Sequence, residues 1–180
     1  MAPQSAVPPA STPDPRNATP KLIPVDPVPT APPALAFSGG QQTAEAVLFT
    51  YDWSRVVGGN THDPVGAPWP PPIVGDGERH LHWATSSRPV DININAYRTI
   101  DSQTGVPTGE PVTWQCNAST TTGCPYVMRD NRVDLPLAVT SVGQMSYLAV
   151  QVIWTVPTSQ AAHPGTADPI AVAAWLVHYP

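Results

Sequence analysis

The sequence predicts an all-β domain, an antiparallel β-sandwich or jelly-roll-like fold, carrying an extended proline-rich N-terminal arm. Three observations predict it. From about residue 45 onward, apolar and polar residues alternate with period two. Clusters of Gly, Pro, Asn and Asp separate the alternating runs. No stretch combines helical periodicity with a capping residue and a stop signal.

The first 44 residues are read as the arm or linker. Their prolines fix φ, remove backbone donors and push each preceding residue towards extended conformations. A pure spacer rarely carries Leu22, Ile23, Val25, Val28, Leu35 and Phe37. Leu22, Ile23, Leu35 and Phe37 are therefore candidate subunit contacts. Ser38-Gly39-Gly40 reads as the hinge into a domain spanning residues 45–180.

The strands follow in order. Ala46 to Trp53 groups Val47, Phe49, Tyr51 and Trp53 on one face. Arg79 to Thr85 turns Leu81 and Trp83 inward and His80 and His82 outward. Val90 to Ile100 places Val90, Ile92, Ile94 and Ala96 together, opposite Asp91, Asn93 and Asn95. Shorter runs are Val112–Cys116, Tyr126–Met128 and Val133–Thr140, the last interrupted at Pro136. Tyr147 to Val156 aligns Leu148, Val150, Val152, Trp154 and Val156. Asp130-Asn131 suits a tight hairpin. The last run, Ile170 to Tyr179, is apolar on both faces. It belongs either between two strands or, through Trp175 and Val177, against another subunit.

Composition narrows function. Charged residues make up 12% of the chain, about half the usual share, so polar uncharged groups must supply its solubility. The net charge is −5, and seven arginines and Lys21 are scattered rather than gathered into a basic stripe. Nucleic acid is excluded as a partner on that ground. No apolar run reaches the roughly 20 residues of a membrane-spanning helix, so no membrane insertion is expected. Met1-Ala2-Pro3-Gln4 lacks the features of a signal peptide, which leaves cytoplasmic synthesis or a trimmed leader.

Cys116 and Cys124 are separated by seven residues. That spacing fits neither a redox pair nor a metal site, and a disulfide closing a polar loop fits well. The alternative is two thiols in a cytosolic protein. His80 and His82, helped by His62, Asp63, Asp76 or Glu78, are weak metal candidates, and no metal or cofactor is expected. No Gly-x-Ser-x-Gly elbow, phosphate-binding loop or dinucleotide fingerprint is present, so the expectation is a non-enzymatic protein.

The Pro68-Trp69-Pro70-Pro71-Pro72 segment presents an aromatic ring stiffened by prolines. It is either a cap on the sandwich or, with His80 and His82, a candidate contact for a ligand such as a glycan. Three functional readings follow. The first is a structural protein of an extracellular or virion assembly: a decoration, minor capsid or tail-type component, whose arm and C-terminal strand make contacts to like or neighbouring subunits. The second is a secreted or cell-surface binding module on a proline-rich stalk. The third is an enzyme with a site across loops near His62, His80 and His82. The expected location is extracellular or on a virion surface.

Overall fold

A computed structural model describes residues 26–63, 66, 68–73, 77–116, 124–137, 145–163, 165 and 169–178. Leu22 and Ile23 lie outside the described residues. The described chain forms a two-sheet β-sandwich with antiparallel pairing throughout the named strands.

The first sheet has five strands. Its order is β10 (Val127–Arg129), β11 (Arg132–Leu137), β5 (Arg79–Trp83), β1 (Leu35–Gly39) and β2 (Gln42–Glu45). The second has six: β4 (Thr61–His62), β3 (Val47–Asp52), β13 (Ile170–His178), β12 (Tyr147–Thr155), β6 (Asp91–Tyr97) and β9 (Val112–Cys116). A two-stranded ribbon, β7 (Thr99–Ile100) with β8 (Pro107–Thr108), stands apart.

Two expectations about the N-terminal segment are corrected. Residues 35–44 are not arm: with Glu45 they build β1, β2 and the turn between them in the first sheet. Leu35 and Phe37 are 0% and 1% exposed, because alternation along β1 turns them into the domain's own core. Gly39-Gly40 is not a hinge. Gly40, at φ +57°, turns the chain between β1 and β2, a conformation glycine adopts without a steric penalty.

The C-terminal strand lies between β3 and β12 and is hydrogen-bonded on both sides. Trp175 and Val177 are buried in the same core, so they are packing residues of this chain and not subunit contacts. Four tryptophans link the layers edge to face. Ring centroids lie 6.2 Å apart for Trp83–Trp175, 6.3 Å for Trp175–Trp154 and 5.4 Å for Trp154–Trp53. Such aromatic pairs contribute about 0.5–1.5 kcal/mol each beyond the area they bury.

Strand β3 departs from simple alternation. Trp175 pairs with Leu48 and Ala174 with Thr50, so one residue of β3, Phe49, has no counterpart. This β-bulge switches the phase. Leu48 and Tyr51 pack on the core, and the expected common face of Val47, Phe49 and Tyr51 does not form. Val90 precedes β6 and is 52% exposed, outside the row of Ile92, Ile94 and Ala96 it was expected to join. Pro136 does not interrupt β11. Partner β10 ends opposite Asp134, so the missing N–H of Pro136 faces no strand on that side.

Asp130 and Asn131 have φ of 48° and 58° and close the β10–β11 hairpin, the pattern of a two-residue type I′ turn. Cys116 and Cys124 form a disulfide, with Cys116 buried at the end of β9.

Candidate functional site

The outer face of the six-stranded sheet is an organised polar surface. Register builds it. Thr50 pairs with Ala174, Ala174 with Gln151, Gln151 with Asn93 and Asn93 with Gln115. One line across five strands therefore presents a hydroxyl, a methyl and three amides. The neighbouring line runs Leu176, Ala149, Asn95 and Thr113. Gln151, Ala149, Asn93 and Asn95 face away from the core because their alternate neighbours Val150, Val152, Ile92 and Ile94 are fully buried, whereas Leu176, in the second line, is itself buried.

The polar groups are held by one another. Gln115 and Asn93 donate to Asp91 Oδ2 at 2.9 and 3.2 Å, and Thr113 donates to Asn95 Oδ1 at 2.8 Å. Gln151 is exposed and lines a hollow of about 430 Å³ with Thr50, Asp52, His62 and Asp63. Asp52 accepts from both the hydroxyl and the backbone N–H of Ser54, which hold its carboxyl below the usual carboxylate range.

Trp69 stands at one end of this face. Its indole N–H donates to the Gly105 carbonyl at 2.7 Å. Its ring meets Tyr147 edge-on at 5.1 Å, and Tyr147 stacks on His178 at 4.4 Å. His178 Nδ1 lies 3.2 Å from the Pro70 carbonyl, and the Ile73 N–H donates to the His178 carbonyl. The proline-stiffened segment is thus fastened to its own sheet. Trp69 caps the end of the sheet and, half-buried, adds one wall to the outer face.

The first sheet carries a separate cluster. Strand β5 places Leu81 and Trp83 in the core and His80 and His82 on the outer face. The two imidazoles stack with centroids 5.6 Å apart. His80 Nδ1 hydrogen-bonds Asp134 Oδ1 at 2.9 Å, and Glu78 lies 3.6 Å from its other nitrogen. The same Asp134 oxygen lies 3.1 Å from His82 Nδ1, close but poorly aligned, so that this buried nitrogen has no well-formed hydrogen bond. Ser38 Oγ lies 3.0 Å from His82 Nε2. Burial lowers the His82 pKa; the charges of Arg132 and His80 push the same way and Asp134 opposes them.

His80 and His82 are therefore brought together, whereas His62 and Trp69 belong to the other sheet. His62 stacks on Tyr51 at 5.6 Å. Asp76 lies outside the described residues. Among the described residues no group of three or more His, Cys, Asp and Glu side chains is disposed to hold a metal ion. Sequence reading missed Ser38 and Asp134, which lie 44 and 52 residues from His82. No local motif links them; strand pairing alone does.

No protein-family model, curated protein or solved structure matches the chain.

Proposed function

We propose that the protein is an extracellular recognition domain that binds an uncharged glycan on the outer face of its six-stranded sheet. The observation that carries this reading is the line Thr50–Ala174–Gln151–Asn93–Gln115 across five strands. Sugar hydroxyls donate and accept at once, and carboxamides answer both roles. Asp91 holds the Asn93 and Gln115 amides in place, so little of their side-chain freedom is lost on binding. Tyr147, backed by Trp69 and His178, supplies an aromatic end wall of the kind that suits the apolar face of a sugar ring. Asp52 and Asp91 on this face disfavour anionic ligands. The disulfide supports a location in an oxidising compartment.

The test is calorimetric titration of the full chain with a panel of neutral oligosaccharides. Binding to at least one is expected, weakened about tenfold or more in Gln151→Ala and Asn93→Ala, a loss of about 1.4 kcal/mol. Absence of binding across the panel, or affinity indifferent to both substitutions, overturns the reading.

The assembly reading keeps a narrower base. With Leu35, Phe37, Trp175 and Val177 inside the core, it rests on the apolar residues of the proline-rich N-terminal segment and on the low charge. Sedimentation of the full chain beside one lacking residues 1–25 separates the two: a full chain that associates, with a shortened chain that does not, supports a structural subunit of an extracellular or virion assembly.

A further inference from the structure

Strands β1, β5 and β11 are adjacent, and their pairing sets Ser38, His82 and Asp134 side by side on one face. Asp134 is directly opposite His82, and Ser38, paired with His80, lies on the diagonal to His82. The contacts run in the order a nucleophilic serine requires. The Ser38 hydroxyl is 3.0 Å from His82 Nε2, and His82 Nδ1 is 3.1 Å from Asp134 Oδ1. With the proton on Nδ1, Nε2 accepts from Ser38. Loose alignment of such groups is common without substrate.

Three surroundings favour chemistry here. Ser38 and His82 open into a hollow of about 670 Å³ that Thr43, Glu45, Ala84 and Arg132 also line. Burial lowers the His82 pKa, the direction that favours its neutral, proton-accepting form. Arg132 lines the same hollow, and its positive charge acts on His82. His80 hydrogen-bonds Asp134 at 2.9 Å.

We propose that Ser38 is a nucleophile that takes the acyl group of a small neutral ester, with His82 as general base and Asp134 as its orienting carboxylate. Ser38 Oγ bonds to the ester carbonyl carbon as its proton passes to His82 Nε2. The carbon–oxygen bond to the alcohol then breaks, and the departing oxygen takes that proton. Water attacks the acyl-serine, giving its proton to His82. The acid leaves, and Ser38 Oγ recovers the proton. No oxidant, reductant or cofactor enters the balance. The site is on the opposite sheet from the glycan face and stands independently of it.

The test is exposure of the full chain to a fluorophosphonate probe, with the adduct located by peptide mass spectrometry, beside hydrolysis of p-nitrophenyl acetate. A single adduct on Ser38 is expected. Ser38→Ala should abolish it, and His82→Gln should slow both reactions on the order of 100-fold. The rate should climb with pH through the His82 titration and level off. Ser38→Ala removes one hydroxyl oxygen from a half-buried site, so its melting curve should match the parent's and separate lost chemistry from lost fold. Absence of labelling, or labelling and hydrolysis unchanged in Ser38→Ala, overturns the proposal and leaves the cluster as a polar tie between three strands.

Discussion

The side-chain amide of Gln160 pairs with both backbone groups of Val28, accepting from its N–H at 2.8 Å and donating to its carbonyl at 2.9 Å. The carboxamide thus acts as a strand edge for a segment whose flanking Pro27 and Pro29 cannot donate. Trp53 adds a bond from its indole to the Pro29 carbonyl at 2.9 Å. Gln160→Ala should therefore lower stability by about 1–3 kcal/mol, since it strands backbone groups of the buried Val28. Urea unfolding gives the value; a change below about 0.5 kcal/mol would mean water replaces the amide at no cost.

Removing residues 1–25 should leave the melting temperature within a few degrees. Removing residues 1–44 should abolish the fold. The longer deletion takes β1, which is hydrogen-bonded to β2 and β5, and with it Leu35 and Phe37. Each of those side chains contributes about 1.5–3 kcal/mol by burial, and β5 would lose its partner on one side. Far-UV circular dichroism of the two shortened chains decides it, and a folded chain beginning at residue 45 would refute the assignment of β1 to the core.

Opening the disulfide should cost roughly 2–3 kcal/mol, the chain-entropy value for so short a loop. Urea midpoints of the oxidised protein and of the Cys116→Ala/Cys124→Ala double variant measure it. Cys116 is fully buried, so part of any excess loss is packing at the end of β9.

Stability should fall at both ends of the pH scale for separate reasons. The folded-state pKa of His82 is below its ordinary value, so the unfolded chain binds more protons in the acid range. Its contribution is present above the ordinary imidazole pKa and is lost as pH falls through the depressed one. Tyr126 behaves oppositely. Burial raises its pKa to about 12, and its hydroxyl donates to the Pro89 carbonyl. Its contribution is present below the ordinary phenol pKa and is lost as pH rises towards 12. Unfolding free energies measured against pH should lose the part of the acid arm near the imidazole range in His82→Gln, with Asp52 keeping the part at lower pH, and the alkaline arm in Tyr126→Phe; unchanged profiles would refute both assignments.

Where one face of a strand is fully buried, the sequence was transparent. Leu148, Val150, Val152 and Trp154 in β12, and Ile92, Ile94 and Ala96 in β6, are fully buried as their alternation predicts. Period-two patterning works there because a slip of one residue would expose the whole row. Strand β1 was hidden because five residues between Pro32-Pro33 and Gly39-Gly40 offer too short a run to stand out from proline-rich surroundings. Strand β3 misled because a bulge changes phase without any marker residue, and Phe49 looks as suited to a core as Leu48.

By itself, then, the sequence determined the all-β class, the disulfide spacing, the Asp130-Asn131 turn and most inward faces. These depend on neighbours along the chain: alternation, loop closure and local φ preferences. The tertiary structure decided what patterning cannot encode. It put Trp175 and Val177 inside the core by seating β13 between β3 and β12. It gathered Thr50, Gln151, Asn93 and Gln115 into one line, and Ser38, His82 and Asp134 into one contact chain. The reason is physical. Cross-strand neighbours are chosen by strand order and register, which emerge only when the whole core closes.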